Sequence, residues 1–348
     1  MNYLLSLLAL SMMTLFLPDR AEAQQIGVGI HPAAGTDPTG GVHVVFGRGQ
    51  TILYTTSADG NAFMKPVVVD SLSGLHLGAS RGPQIAATTR SVVITAIDKG
   101  GNVWAYVLDR NTGRWQNRVR VTDVPDVAKE GFVALTAGPD DTYNAVWLDL
   151  RGNRQNKLVG ACSVDGGRTW SANRVLYQSP DGTVCECCQL SVVSEGKNVV
   201  IMFRNFLNGS RDMHLLRSTD GGQTFGRAEK LGEGTWKLNA CPMDGGGLFM
   251  APGGAVSTIW RRSDKLFTAR PGQAETEVGT GKNAKIVSTK RGDYVVFQQA
   301  GHVWAIEPGQ SQPTDIGEGA YPKLTLLPND RVLCLWEQTG TVRTGFIE

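Results

Sequence analysis

An eight-residue phrase occurs twice in this chain, as Ser163-Val164-Asp165-Gly166-Gly167-Arg168-Thr169-Trp170 and as Ser218-Thr219-Asp220-Gly221-Gly222-Gln223-Thr224-Phe225, 55 residues apart. Self-similarity at a fixed period of that size means one supersecondary unit used repeatedly, which constrains the fold more than any bulk property does. The phrase is turn chemistry: Gly tolerates positive φ, and Ser and Asp side chains bond the amides of their own turn. Two degenerate copies extend the period. Ser57-Ala58-Asp59-Gly60-Asn61-Ala62-Phe63 is one residue short, and Asp109-Arg110-Asn111-Thr112-Gly113-Arg114-Trp115 keeps the polar turn and the closing aromatic. The aromatics Phe63, Trp115, Trp170 and Phe225 are spaced by 52, 55 and 55 residues. Short alternating or apolar runs between them, at 92–97, 103–107 and 199–203, read as strands bounded by turns.

The phrase resembles the Asp-box of sialidase-like β-propellers. That resemblance implies an all-β propeller of four-stranded antiparallel blades, with the box as the turn between the two outer strands on the face away from the site. Ser163, Asp165, Ser218 and Asp220 are accordingly expected to be structural.

A second pattern counts the blades. Each is expected to open with a short phrase, followed by a strand, a turn and a strand with a polar end. The openings are His31-Pro32, Arg81-Gly82-Pro83, Glu130-Gly131-Phe132, Cys187-Cys188-Gln189, Cys241-Pro242, Asn283-Ala284-Lys285 and Tyr321-Pro322, seven in all. The last unit offers only three strands, at 321–326, 332–336 and 342–347, and the segment 26–30 is free to supply the fourth. Closing the ring with the N-terminal strand removes both sheet edges, so seven blades are preferred over six.

The first 23 residues read as a secretory signal: an apolar run over 4–17 and a small-x-small cleavage site at Ala21-Glu22-Ala23. The n-region has no Lys or Arg. Residues 24–348 are then a single exported propeller domain, periplasmic or extracellular. The formal charge is +2, and removing Asp19, Arg20 and Glu22 leaves +3. So weak a charge points to neither nucleic acid nor membrane as a partner.

By propeller topology the opening phrases and the ends of the second strands share one face around the central axis. Those positions are unusually polar. Second strands end at Asp98, Asp149, Arg204, Arg261-Arg262, Gln298-Gln299 and Glu337, while openings add His31, Arg81, Glu130, Asp244 and Tyr321. A ring of charges converging on an axis is the pattern of a binding site.

Three of the six cysteines crowd into Cys185-Glu186-Cys187-Cys188, and Cys241 opens the next blade with Met243 close by. Adjacent blades are expected to bring Cys185, Cys187, Cys188 and Cys241 together near the axis. Inter-blade disulfides, a soft-metal site and a redox pair all remain open. Thiolate and thioether ligands favour Cu(I) or Zn, and four thiols suit tetrahedral zinc. Cys162 and Cys334 lie within apolar strands and read as packed thiols.

The sialidase resemblance also implies a retaining glycosidase with a Tyr nucleophile, an assisting Glu, an Asp acid and three Arg residues on the substrate carboxylate. Ser80-Arg81-Gly82-Pro83 is weakly similar to the Phe/Tyr-Arg-Ile-Pro phrase of that family, without its aromatic and Ile. Tyr321 stands where the nucleophile would, followed by Pro322-Lys323 in place of small residues. Arg204, Arg211, Arg261 and Arg262 are candidates for the other Arg roles, and Glu130 and Asp149 for the carboxylates. The top face is therefore expected to bind a soft metal or an anionic ligand through the thiols, the Arg set, Asp244 and Glu337. The alternatives are a hydrolase of an acidic sugar and a disulfide-bridged scaffold for a protein partner.

Overall fold

The structure, a computed structural model, describes residues 23–347. The secretory-signal reading falls on residues outside that range, apart from Ala23. Seven four-stranded antiparallel sheets form a closed ring. Blade 1 runs Ile30–Thr36, Val42–Arg48, Thr51–Ser57 and Val67–Ser71; blade 2 has the inner strands Gln84–Ala87, Ser91–Ile97 and Val103–Asp109, with an outer edge split between Arg114–Trp115 and Val119–Arg120. Blade 3 spans Val133–Ala137 to Arg174–Tyr177, blade 4 Ser191–Glu195 to Glu229–Lys230, blade 5 Gly247–Met250 to Thr276–Thr280, and blade 6 Lys282–Thr289 to Thr314–Glu318. Blade 7 takes Ala320–Leu326, Val332–Gln338 and Thr341–Ile347 from the C-terminal end, and Gln24–Val28 from the N-terminal end as its outer strand. Seven blades and the N-terminal closure are as the opening phrases predict.

Antiparallel order fixes the faces. Each blade's first strand starts at the top, so the turns joining strands one to two and three to four lie at the bottom. The opening phrases and the two-to-three turns lie on top. One buried core fills each of the seven seams between neighbouring blades. The box aromatics plug these seams: Trp115 packs on the core of blades 1 and 2, Trp170 on that of blades 2 and 3, Phe225 on that of blades 3 and 4, and Phe63 on that of blades 7 and 1. The boxes are the expected bottom turns. Ser163 Oγ donates to Asp165 Oδ1 (2.9 Å) and accepts the Gly167 N–H (2.8 Å), and Asp165 holds the Thr169 N–H (2.9 Å). Gly167 has φ +85°, and a Cβ there would lie 2.6 Å from Val93 Cγ2 of blade 2, so the box needs glycine for both conformation and room.

Three openings share one further device. The first strands of blades 1, 6 and 7 each carry a register shift, between Ile30 and Ala33, Lys282 and Lys285, and Ala320 and Lys323. The residue inside each bulge is left-handed and not glycine: His31 (φ 53°), Asn283 (φ 56°) and Tyr321 (φ 53°). A bulge re-aims side chains, and here it turns them to the axial mouth.

Candidate thiol site on the top face

The opening of blade 4 is a 13-residue loop, 178–190, between Arg174–Tyr177 and Ser191–Glu195. It is pinned at several points. Ser179 Oγ donates to the Phe206 carbonyl (2.6 Å), the Val184 N–H to Asn156 of blade 3 (2.9 Å), and the Cys185 N–H to the Arg204 carbonyl (3.1 Å). Gln189 Nε2 donates to the Val133 carbonyl (3.0 Å). Val184 and Leu190 are buried beside the cysteines. The loop thus places three thiols in a water-poor setting.

Cys185, Cys187 and Cys188 are all buried and form a cluster of their own. Cys185 Sγ lies 3.6 Å from Cys187 Sγ and 3.5 Å from Cys188 Sγ, and all three sulfurs fall within 4.8 Å of one another. Arg211, from the two-to-three turn of the same blade, donates to Cys185 Sγ (3.1 Å), to Glu186 Oε2 (3.4 Å) and to the Leu238 carbonyl (3.2 Å). Its guanidinium also lies 5.0 Å from the Phe206 ring centroid. Hydrogen bonds from the Cys187 and Cys188 thiols, together with Arg211, hold the Cys185 thiol far below its ordinary range. Cys187 is pushed up, first by its bonds to Cys185 and Cys188 and then by burial. Burial, and the bond to Cys185, push Cys188 up to about 12. Of the three thiols, Cys185, which faces the guanidinium, is the one whose ionisation these surroundings favour.

The structure gathers three of the four thiols expected together. Cys241 is exposed and lies outside the cluster, as does the half-exposed Met243. The reason is local. Met243 takes a left-handed backbone (φ 54°), and the chain turns there so that Asp244 is buried while Cys241 stays in solvent. No disulfide joins any of the six cysteines in this structure. Cys334 is buried in the seam of blades 6 and 7, and Cys162 is partly buried with its Sγ donating to Asn144 Oδ1 (2.9 Å).

The arginines have separate surroundings. Arg204, 2% exposed, spends its donors on backbone carbonyls of Arg211 (2.8 Å), Arg261 (3.0 Å) and Asp244 (3.2 Å). Arg261 donates to the Pro242 carbonyl (2.9 Å) and pairs with Asp244 (3.3 Å), while Arg262 is committed to Glu275 (2.9 Å). Arg81 donates to the Glu130 carbonyl (2.6 Å) and stacks on Phe132 (4.2 Å to the centroid). Asp244 is buried, and its pKa is raised by burial against the pull of Arg204 and Arg261.

The carboxylates expected for hydrolysis belong to blade 3, whereas Tyr321 belongs to blade 7. Asp149 is fully buried and accepts from Trp147 Nε1 (2.9 Å), the Arg151 N–H (2.7 Å) and Arg151 Nε (2.9 Å). Glu130 accepts from Asn156 Nδ2 (3.2 Å), and burial raises its pKa. Tyr321 packs edge-on against His31 (4.7 Å between centroids); burial, then the charge of Glu337, raises its phenol pKa. Glu337 accepts the His31 N–H (3.1 Å). Glu186 and the lysines at 285 and 323 also face functional surroundings and were not singled out from sequence. The lysines had a legible signal, since they occupy the same place in two successive opening phrases, Asn283-Ala284-Lys285 and Tyr321-Pro322-Lys323.

No protein-family model matches the sequence, and no curated protein matches it. Solved structures do match. A polysaccharide lyase of family PL25, an ulvan lyase bound to -[GlcA(1-4)Rha3S]-, aligns with TM-score 0.55 at 10% identity over 94% of this chain and 95% of its own. AofleA from Arthrobotrys oligospora aligns with TM-score 0.54 at 12% identity over 94% and 87%. The SapL1 lectin in complex with alpha methyl fucoside aligns with TM-score 0.52 at 13% identity over 84% and 97%. At these identities the likeness concerns the fold, and the chemistry of the site has to be argued from this chain.

Proposed function

We propose that this chain is an exported propeller that binds a soft metal ion, Cu(I) or zinc, at the top-face triad of Cys185, Cys187 and Cys188. The observation that carries the reading is the mutual approach of three buried sulfurs at 3.5 and 3.6 Å. Zinc–sulfur bonds of about 2.3 Å at tetrahedral angles put sulfurs about 3.8 Å apart. Two of the three pairs are within a few tenths of an ångström of that spacing, and the third lies within 4.8 Å. Three thiolates around one such ion leave a net negative charge, and Arg211, 3.1 Å from Cys185, is placed to offset it. A three-thiol set also leaves a position open for an exogenous ligand.

A hydrolytic reading has less behind it, because the Asp149 carboxylate is consumed by Arg151 and Trp147 and Tyr321 faces His31 rather than a blade-3 acid. A glycan partner is the second reading. It is favoured by a top-face cleft of about 410 Å³ between blades 6 and 7, lined by Gln298, His302, Glu318 and Glu337 among others.

The deciding experiment is elemental analysis with thiol titration under denaturant, on protein recovered from its native compartment. The metal reading expects about one equivalent of copper or zinc and six titratable thiols. It expects Cys188→Ser to lose the metal and Cys241→Ser to keep it. Protein without metal, with Cys185 and Cys188 closed as a disulfide, would sink the metal reading and leave a bridged scaffold.

A further inference from the structure

The mouth of the central axis holds more positive charge than its carboxylates balance. Asp244 is the buried carboxylate there, and Arg204, Arg261 and Lys285 all act on it. Arg261 takes it as an ion pair at 3.3 Å. Lys323 is the fourth cation. Among the described residues no carboxylate or hydrogen-bond acceptor engages its ammonium, whereas Lys285 Nζ donates to the Gly246 carbonyl (3.0 Å).

The two lysines meet by construction. Each stands at the end of the bulged opening of its blade, at equivalent register positions: Lys282 to Lys285 in blade 6, Ala320 to Lys323 in blade 7. Blade 1 carries Ala33 at that position. Both lysines line one small chamber on the axis, about 10 Å³, with Ser80, Gln189, Asn283 and Tyr321. Below it the axis widens into a channel of about 920 Å³ open to the bottom face, which Lys285 also lines. Two ammonium groups facing one small space repel each other, and an anion between them offsets that repulsion.

We propose that Lys285 and Lys323 hold a halide ion, chloride in the native compartment, in the chamber at the top of the central axis. The size of the chamber selects the class. A space of about 10–15 Å³ holds one water-sized occupant, which favours a single-atom anion over the larger sulfate or phosphate. The electrostatics agree. Burial, then the charge of Lys285, lowers the Lys323 pKa to about 7, and burial with Lys323 lowers that of His31 to about 4. Burial is the larger cause of both shifts, and a neighbouring lysine adds to each. The site is separate from the thiol triad and stands or falls independently of it.

The test is thermal unfolding at fixed ionic strength in sodium chloride, bromide, sulfate or gluconate, with ³⁵Cl NMR linewidths on the same protein. Chloride and bromide are expected to raise the midpoint by about 2–4 °C over gluconate, and the protein is expected to broaden the ³⁵Cl line. Lys323→Met is expected to abolish both effects and to melt above the parent in gluconate, because it removes one of two neighbouring positive charges. If that variant does not fold, an anomalous bromide peak between Lys285 and Lys323 in a crystal of the parent serves in its place. Equal midpoints in chloride and gluconate without line broadening would overturn the proposal. Protection by sulfate instead of halides would also overturn it, placing an oxyanion in the wider channel below.

Discussion

Arg204 and Arg211 lie on the same turn of blade 4 and look interchangeable in the sequence, yet their surroundings are opposite. Arg204 is enclosed and donates to the carbonyls of Arg211, Arg261 and Asp244, so it ties blade 4 to blade 5. Arg211 faces a sulfur and a carboxylate and adds charge to the thiol cluster. Replacing Arg204 by Met keeps the stem and strands three buried carbonyls. Unsatisfied buried groups cost about 1–3 kcal/mol each, and breaking a buried charged network about 3–5 kcal/mol. Denaturant unfolding of Arg204→Met should therefore show a loss of about 3–5 kcal/mol. An unchanged midpoint would return Arg204 to the ligand-binding set. The same contrast shows where sequence reading stops. The polar ends of the second strands were legible as a ring of charge, because strand register puts them at one face. Which of them are spent on carbonyls depends on loops from the next blade, and no spacing within blade 4 records that. The cysteines divide likewise. Cys185, Cys187 and Cys188 are close in the chain and so close in space, whereas the position of Cys241 hinges on the left-handed turn at Met243.

At the scale of the element, the repeated Ser-x-Asp turn was legible because its geometry is carried by side chains within one short turn. Both full copies make the same bonds: Ser218 Oγ donates to Asp220 Oδ1 (2.7 Å) and accepts the Gly222 N–H (2.9 Å), as Ser163 does for Asp165 and Gly167. The short copy keeps the serine, with Ser57 Oγ accepting the Gly60 N–H (2.9 Å). The copy at Asp109 lacks the serine, and its aspartate accepts directly from the Asn111 and Thr112 amides (3.0 and 3.2 Å). The serine hydroxyl is thus the part the turn can lose only by re-pairing a buried amide. Ser163→Ala leaves the Gly167 N–H against Val93 of blade 2 without an acceptor. We expect a loss of about 1–3 kcal/mol, with metal content unchanged because the box lies on the opposite face from the thiols. A drop in bound metal without a drop in stability would contradict that division of the two faces.

For the whole molecule the decisive element is the strand Gln24–Val28, which turns seven sheets into a ring. It pairs antiparallel with Thr341–Ile347, from Gln24 opposite Thr344 to Val28 opposite Thr341, and shifts register at Ile26. Ile26 is buried in the core of blades 7 and 1, with Val42, Val44, Phe46 and Leu335, while Val28 is half-exposed. Phe46 reaches over the strand because there is no side chain at Gly27, where a Cβ would lie 2.4 Å from its Cζ. Without this strand blade 7 would present an unpaired edge and the seam would lose its lid. The axial chamber depends on the same closure. His31 and Tyr321 meet across that seam, and Lys285 and Lys323 line the chamber from the bulged openings of blades 6 and 7. Ile26→Ala should therefore lower stability by about 2–5 kcal/mol, the range for truncating a buried isoleucine. Val28→Ala on the same strand should change it by less than about 0.5 kcal/mol. Because each blade is buried on both sides, Ile26→Ala should still unfold in one transition by far-UV circular dichroism and Trp fluorescence together. Equal effects of the two substitutions would mean that the N-terminal strand decorates blade 7 rather than closing the ring.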